Sequence, residues 1–178
     1  MASSLVVRKS TALDASAIAS IYAPHVLHGT TSFETVPPDA KEIVRRRAAI
    51  LELGLPYLTA EIEGQIAGYA YASRFRPRSA YRFTVESSVY IADSFQRRGM
   101  ASALMKELMR QCADRGMHEM IAVIGDPIIN AASVALHRSL GFHEVGVLRG
   151  VGEKFEKALD VLMMQKALPP CPSASDET

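Results

Sequence analysis

Apolar and polar residues alternate along this chain with two periods, one near two residues and one near three and a half, and the changeovers mark the elements. Leu5 to Lys9 reads as a short strand. Asp14 then offers an N-cap to a helix that carries Ile18, Ile21, Tyr22 and Val26 on one side. Pro37-Pro38-Asp39 opens a second helix, with Ile43, Ala48, Ile50 and Leu51 apolar and Arg45, Arg46 and Arg47 expected as a solvated cationic face. Tyr57 to Ile62 and Ala67 to Phe75 flank Gly64 and predict an antiparallel hairpin, followed by a third strand from Phe83 to Ile91. Met100, Leu104 and Leu108 recur at helical spacing beside Ala101, Met105 and Cys112, with Lys106, Glu107, Arg110 and Asp114 elsewhere. Met120 to Ile124 is a short apolar strand. Asn130 caps a helix that ends at Gly141, a residue suited to the position after a C-cap, and strands resume from Phe142 to Leu148 and from Leu159 to Gln165.

Composition narrows the class. At 178 residues, 48% hydrophobic and with a net charge of +1, the chain can bury a sizeable core but lacks the basic excess of a nucleic-acid binder. No apolar run approaches the roughly 20 residues of a membrane span, and MASSLVVRKS lacks the apolar core of a secretory signal, so a cytoplasmic protein is expected. Cys112 falls on an apolar helix face and Cys171 in a Pro/Ser-rich tail, a poor pair for a disulfide; Cys112 reads as core. The five histidines show no metal-ligand spacing, and no metal is expected. Residues 1–168 are expected to form one domain and residues 169–178 a disordered tail.

The chemistry concentrates between Thr84 and Leu108, where a strand turns through Gln96-Arg97-Arg98-Gly99-Met100-Ala101 into a helix. Glycine lets backbone approach a ligand with no Cβ in the way. The first turn of the helix offers unpartnered N–H groups at the positive end of its dipole, an arrangement suited to a diphosphate.

The order strand, two helices, three strands, helix, strand, helix, two strands, with Gln-x-x-Gly-x-Ala at the turn, resembles the GNAT acetyltransferase superfamily. Thr31-Ser32-Phe33-Glu34-Thr35, Thr84 to Tyr90, Ala122 to Gly125 and Ser133 to Phe142 resemble its phosphinothricin and methionine sulfoximine/sulfone acetyltransferase branch, over roughly Val6 to Leu168. The resemblance implies a mixed α/β fold with a central, mostly antiparallel twisted sheet flanked by helices. It implies acetyl-CoA as cosubstrate, bound by Val89, Tyr90, Ile91, Gln96, Arg97, Arg98, Gly99, Met100, Ala101, Ser102, Asn130 and Ser133, and it implies a homodimer.

Glu86 interrupts the third strand on the side shared by Thr84, Ser88 and Tyr90, opposite Phe83, Val85, Val89 and Ile91. A mid-strand carboxylate is costly to bury without a reason. It either pairs with a nearby arginine, such as Arg74 or Arg82, or accepts a proton, directly or through water, from an incoming ammonium that cannot attack a thioester without its lone pair. The resemblance supports the second role. His137 stands where many superfamily members carry a tyrosine, and it either protonates the departing thiolate or assists deprotonation of the amine. No cysteine or serine with an adjacent base points to a covalent intermediate, so direct attack in a ternary complex is expected.

On the acceptor side, Arg74 to Arg82 interleaves arginines with aromatics, and arginine forks suit carboxylate, phosphinate or sulfoximine oxygens. Phe33, Arg74 and Lys154 are the substrate-side candidates. The expected reaction moves acetyl to the primary amine of a small amino acid or analogue such as phosphinothricin, methionine sulfoximine or methionine sulfone. Acetylation of a protein N-terminus or a polyamine, and a non-catalytic CoA-binding sensor, are the alternatives. One departure stands out: Ala158 occupies the apparent place of a family tryptophan, which implies an altered acceptor pocket or dimer contact.

Overall fold

In the computed structural model, residues 5–169 are described. Among them, seven strands form one sheet: β1 (Leu5–Lys9), β2 (Tyr57–Ile62), β3 (Gln65–Arg74), β4 (Thr84–Ile91), β5 (Glu119–Gly125), β6 (His143–Lys154) and β7 (Lys157–Ala167). The helices are α1 (Ala15–Leu27), α2 (Ala40–Glu52), α3 (Met100–Ala113) and α4 (Ala131–Ser139). The expectation for the tail lies, beyond Pro169, outside the described residues, and so does Cys171.

The sheet runs β1-β2-β3-β4-β5-β7-β6. Its strands pair antiparallel except β4 and β5, which run parallel. Local chemistry sets the turns. Glu63 (φ 52°) and Gly64 (φ 78°) make the left-handed corner of the β2–β3 hairpin. Asp39 caps α2 by accepting from the Glu42 amide at 2.8 Å.

Two cores cover the two faces. Leu104, Met105, Leu108 and Cys112 of α3, with Val134 from α4, pack on Ala70, Ala72, Val85 and Met120 of the sheet. On the other face, Ile18, Ile21, Tyr22 and Val26 of α1 and Ile43 of α2 pack on Tyr57 and Tyr69. Each fully buried Leu or Met is worth about 1.5–3 kcal/mol over exposure, so these apolar stripes dominate the helix docking. Cys112 is a core residue whose burial pushes its thiol pKa up to about 12.

Three expectations change. The arginines of α2 are not all solvated: Arg46 grips Glu34 through two hydrogen bonds of 2.7 and 3.0 Å, and Arg47 donates to the side chain and carbonyl of Ser10. Asp14 makes no side-chain cap to α1; it accepts from the Thr11 amide and from both terminal nitrogens of Arg8. Asn130 precedes α4 without capping it by side chain, and its Nδ2 donates instead to Gly125 O (2.6 Å) and Thr30 Oγ1 (3.1 Å).

Candidate active site

The parallel ladder between β4 and β5 is short. Thr84 to Ser87 pair with Glu119 to Ala122, after which β4 stays with β3 through Ile91 while β5 follows β7 through Gly125. The two strands therefore splay, and the gap opens into a cavity of about 720 Å³. Its walls come from both faces of the sheet. His25, His28, Gly29 and Thr31 close it on the α1 side, and Gly99 to Ser102, Leu136 and His137 on the α3 and α4 side.

Gly99, in the left-handed region at φ 79°, precedes the first residue of α3, and Arg97 is also left-handed at φ 60°. These turns bring the N–H groups that open α3 to the cavity rim, where Gln96, Arg97, Gly99, Met100, Ala101 and Ser102 all line it. Val89, Tyr90, Ile91, Asn130, Ser133 and His137 line it as well. Arg98 does not; its guanidinium lies 5.4 Å from the Phe95 ring centre. The extended β4 edge left free by the splay, next to a helix N-terminus, fits an elongated molecule with peptide-like amides and a diphosphate.

His137 is 4% exposed, with Nδ1 2.8 Å from the Ser133 carbonyl oxygen and the ring edge-on to Phe142. Burial holds its pKa below the ordinary value, against the opposing pull of the Ser133 carbonyl.

Glu86 is half-buried on the α1 side of β4, the side of Ser88 and Tyr90. Burial raises its pKa, opposed by the charge of Arg76. Among the described residues no arginine or lysine forms an ion pair with it, so neither Arg74 nor Arg82 is its partner. It stands back from the cavity lining, whereas Ser88 and Tyr90 reach it. Tyr90 is stacked on Tyr69, edge-on to Tyr22, and held well above its ordinary pKa by burial.

Two substrate-side expectations are corrected by geometry. Arg74 pairs with Val85 across the β3–β4 ladder and so projects from the face that carries Val85, opposite Glu86. Lys154 is 5% exposed, and its ammonium donates to the carbonyls of Ser32 (2.7 Å), Gly29 (2.8 Å) and, more loosely, His25 (3.4 Å). All three of its donors are thereby used. Phe33 is 39% exposed, and its ring is seated between two glycines. A Cβ built on Gly152 would lie 2.1 Å from Phe33 Cε2, and one on Gly125 2.6 Å from Cε1. Ala158 is exposed on β7 and does not line the cavity.

His25, His28, Thr31 and Ser88 line the cavity and are additions that sequence reasoning missed, whereas Arg76 falls within the Arg74 to Arg82 run. Ser88 was recoverable from strand alternation with Glu86. The α1-side residues were not, because only the folded chain brings them over β4.

A splayed pair of parallel strands, a glycine-started helix at its rim and a half-buried carboxylate on the far face together define an acyl-CoA-dependent N-acyltransferase. Residues 25–142 match the acetyltransferase (GNAT) family, and the chain belongs to that family. It is 48% identical over 155 residues to a phosphinothricin N-acetyltransferase of Alcaligenes faecalis, covering 87% of this chain and 78% of that one. It is 36% identical over 172 residues to an L-methionine sulfoximine/L-methionine sulfone acetyltransferase of Pseudomonas paraeruginosa, covering 94% and 97%. A crystal structure of a phosphinothricin acetyltransferase from Sinorhizobium meliloti in complex with acetyl-CoA shares the fold at a TM-score of 0.89 and 38% identity, covering 98% and 97%. The protein is an acetyl-CoA-dependent N-acetyltransferase. Among the described residues, no helix is long and apolar enough to cross a membrane.

Proposed function

We propose that the protein transfers acetyl from acetyl-CoA to the primary amine of a small amino acid or analogue of the phosphinothricin, methionine sulfoximine or methionine sulfone type, by direct attack in a ternary complex. The observation that carries the reading is the position of Glu86: a half-buried carboxylate of raised pKa, without an ion pair, on the face of β4 opposite the α3 cradle. The donor lies along β4 and the start of α3, and the acceptor enters from the α1 side.

Glu86 accepts the ammonium proton. Because it stands behind Ser88 rather than in the cavity wall, an intervening water or the Ser88 hydroxyl relays that proton. The freed lone pair attacks the acetyl carbonyl, and a backbone N–H of β4 near Val89 stabilises the oxygen as charge develops. The neutral His137 ring serves proton movement from the α4 side. Arg76, whose charge reaches Glu86, takes the role first given to Arg74 of meeting the acceptor's acidic group. The exposed side of Phe33 borders the acceptor.

The reading includes a homodimer, supported by the edge strand β6, where Val145, Val147, Leu148 and Val151 are exposed. It also includes one GNAT domain over residues 1–168 and a cytoplasmic setting. Light scattering of the purified protein checks the dimer.

Thiol release from acetyl-CoA, scanned over methionine sulfone, methionine sulfoximine, phosphinothricin, ordinary amino acids, polyamines and a short peptide, tests the acceptor class. Saturable turnover confined to the amino-acid analogues is expected. Turnover confined to peptide or polyamine contradicts the acceptor assignment, and absence of turnover with every amine contradicts catalysis itself.

A further inference from the structure

Lys154 presents a physical question that the reaction leaves open. Its ammonium is buried, yet among the described residues no carboxylate lies within ion-pair distance of it. Desolvating a cation without a counter-charge is unfavourable, and burial lowers the pKa of Lys154 against the opposing charge of Glu34. Three convergent carbonyls compensate. The His25 carbonyl belongs to the last turn of α1, where carbonyls lack intrahelical partners and the helix dipole is negative; those of Gly29 and Ser32 belong to the chain that leaves it.

The same segment is held at other points as well, among them Thr31 Oγ1, 3.1 Å from His25 Nδ1. Thr30 Oγ1 accepts from Asn130 Nδ2 at 3.1 Å. Glu34 accepts from Arg46 and from the Tyr22 hydroxyl, which is itself 2.6 Å from Ser32 Oγ. Phe33 sits in the notch between Gly125 and Gly152, which only residues lacking a Cβ leave open. His28, Gly29 and Thr31 of this segment line the cavity on the side where the acceptor enters.

We infer that Lys154 is a positioning residue for the acceptor: together with the glycine notch that seats Phe33, it clasps residues 28–35 into a fixed wall of the acceptor site. This rests on the acceptor side proposed above. The wall is formed before substrate arrives, so its ordering is not drawn from acceptor binding energy. The donor side is built on β4 and the start of α3 and meets this segment at Asn130, whose Nδ2 donates to Thr30 Oγ1.

The test compares wild type, Lys154→Met, Gly152→Ala and the double variant, using L-methionine sulfone as acceptor. Steady-state kinetics, calorimetric acetyl-CoA binding and amide hydrogen exchange over residues 28–35 are the readouts. Each single variant raises the acceptor KM by about tenfold or more, as expected for a misplaced binding wall. The acetyl-CoA Kd stays within about twofold, and exchange in residues 28–35 accelerates. The double variant resembles the worse single variant, because both changes release one clasp.

An unchanged acceptor KM and unchanged exchange in Lys154→Met overturn the inference. So do equal shifts for donor and acceptor, or effects that multiply in the double variant. Should Lys154→Met not fold, Gly152→Ala, whose added carbon meets the Phe33 ring first, decides the matter by the same readouts. A wild-type protein that acetylates no amino-acid analogue strikes the acceptor assignment, and exchange over residues 28–35 still decides the clasp.

Discussion

His137 and Ser133 are joined one helical turn apart, ring Nδ1 to carbonyl oxygen at 2.8 Å. A carbonyl only accepts, so Nδ1 carries the proton and Nε2 of the neutral ring keeps its lone pair. Because burial keeps the pKa below its ordinary value, the neutral form prevails at physiological pH. Such a ring takes up a proton at Nε2 before it gives one there.

His137→Asn keeps a short donor near Ser133 but removes the basic nitrogen. We expect kcat to fall by about 100-fold with the fold intact by circular dichroism. An unchanged kcat assigns the ring to packing against Phe142.

Glu86→Gln separates catalysis from architecture. The active form of Glu86 is the carboxylate, so rate rises with pH through its pKa, which burial places above the ordinary 4.5. Gln removes that acid limb and lowers kcat by about 10²–10⁴-fold. Stability moves the other way. A carboxyl whose folded pKa is raised favours folding in its protonated form, and that contribution is lost as pH rises through the folded value. Gln retains the neutral form at every pH, so the melting temperature at neutral pH is expected to hold or rise. A large loss of stability would mark Glu86 as a structural ion-pair partner.

Arg74 and Arg76 should behave differently although two residues apart. Arg74→Ala, on the far face of the sheet, is expected to leave acceptor KM and the acid limb unchanged. Arg76→Ala removes the charge that opposes the rise in the Glu86 pKa, so the acid limb moves to higher pH. Loss of its charged hydrogen bond to the acceptor raises KM by about tenfold. pH–rate profiles of the two variants check both statements.

Gly99→Ala tests the cradle. Nothing lies within 4 Å of a Cβ built there, so the cost comes from the left-handed backbone at φ 79°. We expect a stability loss of about 1 kcal/mol and an acetyl-CoA KM raised about tenfold by the altered turn, with the acceptor KM unmoved. Calorimetry with CoA alone checks the donor half by itself.

The order of elements was legible because each element obeys its own period. Ile18, Ile21, Tyr22 and Val26 are buried as their helical spacing requires, and two-residue alternation placed Val85 on the core face opposite Glu86. The glycine turn at the start of α3 was legible for a local reason, since only a short stretch of backbone has to be right. The parallel β4–β5 ladder and its splay were not, because strand pairing depends on partners far along the chain.

Failures on single residues share that cause. Arg46 and Arg47 resemble solvent-facing charges until Glu34 and Ser10 are brought beside them. Lys154 resembles a substrate ligand until carbonyls more than a hundred residues earlier close around it. Arg74 lies inside the expected strand Ala67 to Phe75, but its place among the arginines up to Arg82 suggests an acceptor contact until the pairing with Val85 turns it to the other face. β6 extends past Leu148 to Lys154 through a register shift between Leu148 and Gly152, where the glycines interrupt the apolar alternation.

The most direct measurement is mass-resolved product formation from isotopically labelled acetyl-CoA and L-methionine sulfone, with wild type and Glu86→Gln assayed side by side across pH. Wild type is expected to give the labelled N-acetyl product with a rate that climbs through an acid limb, and a folded Glu86→Gln that still binds acetyl-CoA to give little. Equal rates and identical pH profiles from the two proteins would contradict Glu86 as the proton acceptor.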